Sequence, residues 1–144
     1  MSVEEITADN IEAVLAVAPR PEQLRYVQPV AWYVAKAAYE RVWQPVALVA
    51  DQEVIGFAQW AWDGSDSTYT LGGVVLDARH QGRGLGRALL DALVAHVRSQ
   101  PRPGTVVLTV HDDNEVARGL YTRYGFVETG DVLDDELVMV LPDP

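Results

Sequence analysis

The chain contains no cysteine. That excludes a disulfide framework, a thiolate metal site and any mechanism built on a cysteine nucleophile. Basic residues are few: 11 against 21 acidic ones, a net charge of −10. A nucleic-acid partner is therefore not expected, because neutralised phosphates supply most of the affinity of such complexes. No apolar run approaches the roughly 20 residues that a membrane span needs, so no membrane association is expected either. The segment Met1-Ser2-Val3-Glu4-Glu5 carries acids where a secretory leader carries basic residues, and the expected location is cytoplasmic. The three histidines, His80, His96 and His111, show no ligand spacing, so no metal is expected.

What remains is globular in composition, with 49% hydrophobic and 22% charged residues in 144 positions. There is no repeat, no low-complexity tract and no linker, so residues 1–144 are read as a single domain. The few basic residues are not evenly spread. Arg79, Arg83 and Arg87 lie on one short segment beside His80, which points to an anion bound there.

Hydrophobic periodicity predicts the elements. Val3 to Ile6 reads as a strand and Ile11 to Val17 as a helix that Pro19 and Pro21 end. Glu22 to Val27 and Ala31 to Val42 read as helical pieces separated at Pro29. Val46 to Ala50 and Val54 to Trp62 form a hairpin about a tight turn at Asp51-Gln52. Tyr69 to Leu76 is a third strand in which Gly72-Gly73 suggests a bulge. Leu85, Ala88, Leu89, Ala92, Leu93 and Val97 place a helix from about Gly84 to Ser99, and Thr105 to Val110 follows as a buried strand. Asp112 with Glu115 reads as a capping box for a helix ending at Gly125. Phe126 to Glu128 and Glu136 to Leu141 close the chain as strands around an acidic turn. The expected class is α+β, a mixed and mostly antiparallel central sheet flanked by helices, with one β-α-β crossover.

That crossover carries Gln81-Gly82-Arg83-Gly84-Leu85-Gly86, a glycine-rich loop opening a helix. Unpaired N–H groups and a partial positive charge make such a helix end a phosphate site. A P-loop would need Lys and Ser or Thr at the helix start, and Gly86-Arg87-Ala88 has neither. A dinucleotide fold would place its glycines after the first strand, with an acid some twenty residues on; at least three strands precede this loop, and residues 104–109 hold no acid. Taken alone, the loop is either a phosphate cradle or a glycine-rich turn that binds nothing.

The sequence resembles the GNAT superfamily of N-acetyltransferases. Gln81-x-x-Gly84-x-Gly86 matches that family's (Arg/Gln)-x-x-Gly-x-(Gly/Ala) signature, and Asn114, Tyr121 and Tyr124-Gly125-Phe126 fall at its spacing. The N-terminal half and the ending Thr129-Gly130-Asp131…Glu136-Leu137-Val138-Met139 resemble the spermine/spermidine acetyltransferase branch. The resemblance implies acetyl-CoA as co-substrate. Its pantetheine arm would lie along Gly73-Val74-Val75. Its pyrophosphate would meet the backbone of Gln81, Gly82, Arg83, Gly84, Leu85, Gly86 and Arg87. Asn114 aligns with a coenzyme-contacting residue, with helix capping as the other reading. Tyr121 aligns with the general acid that protonates the departing sulfur and also touches the coenzyme, and the Val75 N–H is the expected oxyanion donor.

The acceptor implied is a primary amine, with a polyamine or other small cationic amine foremost. A protein or peptide N-acetyltransferase and a non-catalytic acyl-CoA-binding module are the alternatives. Trp32, Tyr33, Trp60 and Trp62 are candidates for the acceptor wall. No acid lies in residues 69–76, so deprotonation is expected through ordered water; Asp63 and Asp66 are read as solvated turn carboxylates, with help through water as the other reading, and His80 and His111 as surface residues. The acids Asp131, Asp134, Asp135 and Glu136 are read as a solvated turn, with attraction of a polycation as the other reading. A homodimer is common among relatives, but no interface is visible in the sequence.

Overall fold

Alternation decides which way the strands face. In residues Thr105–His111, Val106, Leu108 and Val110 are buried while the residues between them are not. The computed structural model describes every residue from Met1 to Pro144. It contains seven strands: β1 (Ser2–Glu5), β2 (Gln44–Ala50), β3 (Glu53–Asp63), β4 (Thr68–Leu76), β5 (Thr105–His111), β6 (Val127–Leu133) and β7 (Glu136–Leu141). They form one sheet in the order β1-β2-β3-β4-β5-β7-β6. Every pairing is antiparallel except β4 with β5. Four helices flank it: α1 (Ile11–Leu15), α2 (Val30–Glu40), α3 (Gly86–Arg98) and α4 (Glu115–Tyr124). This is the expected α+β architecture, with α3 as the β-α-β crossover. No helix is long and apolar enough to cross a membrane.

Two apolar clusters sandwich the sheet. Leu89, Leu90, Leu93, Val94 and Val97, one stripe of α3, pack with Leu48, Leu71, Leu108, Phe126 and Met139. Val14, Val17, Val30 and Tyr33 from the α1–α2 side pack with Ala47, Phe57 and Val75.

Several boundaries differ from expectation, each for a local reason. Residues 22–27 do not form a helix; only a 3₁₀ turn at Pro21–Gln23 appears, hemmed in by prolines on both sides. Gly84 lies outside α3 at φ +72°, a conformation that ends helical continuity, and the helix begins at Gly86. Asp112 is not the cap of α4. Asn114 is, its Oδ1 accepting from the Ala117 N–H at 3.4 Å. β6 runs on to Leu133 because the acidic turn is only Asp134-Asp135, at φ 50° and 64°. Asp51-Gln52 repeats that geometry at φ 51° and 63°; two positive-φ residues match the right-handed twist of a hairpin.

The anticipated bulge lies in β4. Phe57 pairs with Val75 and Gln59 with Gly72, which leaves Gly73 and Val74 without register partners on β3. Gly73 takes φ +55°. On its other edge, β4 pairs with β5 only as far as Leu71–Leu108. Beyond that point β5 continues against β7 alone, out to His111–Glu136. The two central strands therefore splay apart, and the wedge between them opens through the middle of the sheet.

Below the splay, β3 and β4 approach closely at Gly56, where an added Cβ would lie 2.7 Å from the Val75 carbonyl oxygen. Backbone cannot yield as a flexible side chain does. Gly56→Ala is expected to cost about 1–3 kcal/mol, the range for overpacking a tight core. Thermal or urea unfolding measures it, and an unchanged midpoint would contradict the close approach.

Candidate active site

The loop after β4 is shaped by its own hydrogen bonds. Asp77 is buried and its carboxylate accepts from the Ala18 N–H at 3.0 Å and from Arg79 Nε at 2.7 Å. Burial pushes its pKa up, but the Arg79 side chain and the Ala18 and Arg79 amides outweigh this and hold it below the usual carboxylate range. Gln81 donates from Nε2 to the Leu76 carbonyl at 2.8 Å and exchanges amide hydrogen bonds with Gln23 at 2.8 and 3.0 Å. Its side chain thus fastens the loop to the strand end instead of pointing into open space.

Gly82 and Gly84 adopt φ +77° and +72°. No amide from Gly82 to Ala88 has a hydrogen-bond partner within the chain, and Leu85 caps α3 without a side-chain bond. A Cβ on Gly84 would meet nothing within 4 Å. This is a rigid bend of free donors at a helix N-terminus, which is the arrangement a pyrophosphate requires. Arg83 is exposed, and the Arg87 guanidinium lies 5.4 Å over the Tyr124 ring, so neither closes over the loop.

Beside this loop is a cavity of about 390 Å³. Gly82, Gly84 and Gly86 line one end, Val74, Val75 and Leu76 one wall, and α4 the other through Val116, Leu120 and Arg123. Arg123 is its sole charged lining residue. A second cavity of about 440 Å³ lies beyond the splay, walled by Trp32, Tyr33, Trp43, Gln59 and the strand ends, and closed by His111, Asp134 and Glu136. It contains two carboxylates and neither Lys nor Arg. The two cavities share Val74, Asn114, Ala117 and Tyr121, together with Tyr26 and Val27. They meet where β4 and β5 part.

Tyr26 and Val27 belong to a strap, residues 20–28, laid across both cavities. One end is held by the Gln23–Gln81 amide pair. The other is held by Arg25 on Asp113 and by the Tyr26 hydroxyl donating to the Asp113 carbonyl at 3.2 Å.

Tyr121 stands at the junction. Burial, and secondarily the nearby Glu136, push its phenol up to about 12. It therefore presents an O–H donor throughout the working pH range. Asn114 lies at the same junction, its Oδ1 engaged in capping α4. The Val75 N–H, the expected oxyanion donor, is oriented by the β3–β4 ladder. Asp77 N–H donates to the Ile55 carbonyl at 2.8 Å, and hydrogen-bonded pairs recur every second residue in an antiparallel ladder, so the Val75 amide faces Phe57 on β3. Val74, unpartnered at the bulge, is the strand residue common to both cavities.

On the acceptor side, Trp32 and Tyr33 do line the second cavity. Trp60 and Trp62 do not; they pack about Tyr69, at ring distances of 5.8 and 4.8 Å. Asp63 and Asp66 hold their own turn through Ser65 and Thr68. His80 sits by Glu53 at 3.4 Å, outside both cavities. His111 and Glu136, by contrast, are brought to the cavity with 3.8 Å between Nε2 and Oε1. Burial raises the Glu136 pKa, His111 opposes the rise and Asp134 reinforces it. Sequence reasoning named Glu136 only as one of four terminal acids, because nothing in a run of turn acids says which one the sheet brings to the cavity. It missed Arg123, which the helical spacing Val116, Leu120, Arg123 could have revealed.

The model of the acetyltransferase (GNAT) family matches residues 8–126. The chain is 28% identical to the spermine/spermidine N(1)-acetyltransferase of Bacillus subtilis strain 168, an alignment covering 97% of each. The spermidine N-acetyltransferase of Vibrio cholerae, solved with CoA and spermine, superposes with TM-score 0.74 at 15% identity, covering 96% of this chain and 92% of that one. The aminoglycoside acetyltransferase AAC(6')-Ib, solved with coenzyme A and kanamycin, does so with TM-score 0.78 at 19% identity, covering 96% and 92%. At such identities the two structures speak for the fold. With a free-amide loop, a splayed sheet and a family match spanning most of its length, this chain belongs to the GNAT family and is an acetyl-CoA-dependent N-acetyltransferase.

Proposed function

We propose that the acceptor is a small cationic amine, with polyamines as the favoured class. The observation that carries this reading is the contrast between the two cavities. The donor side offers Arg123 and free amides to an anion; the acceptor side offers two carboxylates and the rings of Trp32, Tyr33 and Trp43 to a cation, with neither Lys nor Arg. The Bacillus relative is named for spermine and spermidine, which supports the same class.

In this reading the amides of Arg83, Gly84, Leu85, Gly86 and Arg87 hold the pyrophosphate, with the backbone of Gln81 and Gly82 adjoining. The pantetheine arm follows Val74 and Val75, and Asn114 reaches it with its free NH₂ group. Tyr121 protonates the leaving sulfur, and the Val74 amide takes the oxyanion role. Spermidine, an unbranched monoamine, an amino sugar and a peptide with a free N-terminus, each mixed with acetyl-CoA, provide the test by thiol release. Spermidine is expected to exceed the monoamine in kcat/KM by at least about tenfold, the worth of one further ammonium held in a partly desolvated aromatic and acidic site. Turnover of the peptide alone would replace this reading with protein N-acetylation. Tight coenzyme binding without any turnover would replace it with a binding module.

A further inference from the structure

We propose that Glu136, paired with His111, is the group that receives the acceptor's ammonium and removes its proton. The proposal rests on the cationic-amine reading above and gives it an atom-level anchor. Glu136 opens β7 opposite His111, the last residue of β5. Both lie beyond Leu108, where β5 loses its pairing with β4, and so both border the wedge that leads to Tyr121.

Asp77, Asp113 and Glu128 are matched to the guanidinium groups of Arg79, Arg25 and Arg118, and Glu40 to the Lys36 ammonium; Glu53, like Glu136, faces only a histidine, but it lies outside both cavities. Glu136 has only His111 within 4.0 Å, and its side chain is 28% exposed. A half-buried carboxylate with no fixed cation is costly unless something cationic visits it. The groups that face it are His111 on β5, Asp134 on the preceding turn, Tyr33 on α2 and Tyr121 on α4. None is a permanent cation. Burial also makes Glu136 a better proton acceptor than a solvated carboxylate, although His111 opposes the effect.

The proton count closes without any further reagent. An ammonium N–H donates to Glu136, the proton moves to the carboxylate and leaves to solvent by way of His111. The freed amine nitrogen forms a bond to the thioester carbon, and the carbon–sulfur bond breaks with its electron pair passing to sulfur. Tyr121 gives its proton to that sulfur, and the second proton on the new amide nitrogen restores the phenol through cavity water. One ammonium and one thioester yield one amide, one thiol and one proton.

The experiment compares the wild type with Glu136→Gln and Glu136→Asp, using spermidine and acetyl-CoA between pH 6.5 and 10. At pH 7 the Gln variant is expected to lose about thirtyfold in kcat/KM for spermidine, below the usual span for a general base because water in the open cavity accepts part of the proton flux. That deficit should shrink severalfold by pH 10, where the amine reaches the site already neutral, and the Asp variant should recover part of it. An unchanged KM for acetyl-CoA shows that the variants are folded. A Gln variant matching the wild type at every pH overturns the proposal alone. A deficit independent of pH also overturns it, since Glu136 would then only bind or brace. A wild type that acetylates no amine overturns the cationic-amine reading, and this proposal with it.

Discussion

Replacing Tyr121 with phenylalanine is expected to lower kcat by about 10²–10³-fold, the worth of a positioned general acid, with little change in the KM for acetyl-CoA. The ring packs against Phe126 at 5.9 Å and borders both cavities, so the variant keeps its packing and loses only the hydroxyl. The pH dependence follows from the raised pKa. A phenol is active while protonated, and raising its pKa to about 12 extends that form upward. The wild-type kcat should therefore show no falling limb near pH 10, where an ordinary tyrosine titrates. The same sign governs stability: preference for the neutral phenol is fully present below pH 10 and is lost as pH rises toward 12. Steady-state rates from pH 7 to 10.5 measure both. A Phe variant within twofold of the wild type would remove Tyr121 from the chemistry, and a limb near pH 10 that vanishes in the variant would show that the phenol is solvated.

The second large effect is expected at the loop. Gly84→Val should raise the KM for acetyl-CoA about 100-fold, the equivalent of losing one or two charge-assisted hydrogen bonds to the coenzyme. Two causes act together. A β-branched residue at φ +72° is strained, and relaxing the strain turns the flanking amides away from their common focus. The new side chain would also fill the open space in front of Gly84, where the anion belongs. Because that space touches no protein atom, the thermal midpoint should fall only by what the backbone strain costs, roughly 1–2 kcal/mol. Gly84→Ala, with the same backbone penalty and less bulk, should lie between the two. An unaltered KM in the Val variant would place the pyrophosphate elsewhere.

The loop was legible because its chemistry is local. Glycine spacing, a helix start and a preceding strand are written in consecutive residues, and the backbone can meet the demand only in one way. Tyr121 was picked out only by the family resemblance; on residue pattern alone it belongs to the apolar stripe Ala117, Leu120, Tyr121 and Tyr124 of one helix. The bulge in β4 was legible only as a pair of glycines, since which amide it leaves without a partner on β3 is set by register and no side chain records it. That Glu136 is the acid set beside His111 in the cavity was hidden because it arises from register: β7 pairs back on β5 so that Glu136 lies opposite His111. Trp60 and Trp62 misled for the opposite reason. Aromatic residues alternate along β3, but their partners Tyr69 and His96 lie on the far side of the strand from the cavities.

The splayed sheet has a consequence for traffic. It behaves as a partition with one doorway, and Val74, Asn114 and Tyr121 are its jambs. If coenzyme and amine take the two sides as proposed, neither has to pass the other to enter or to leave. Steady-state kinetics should then show no obligatory order of binding.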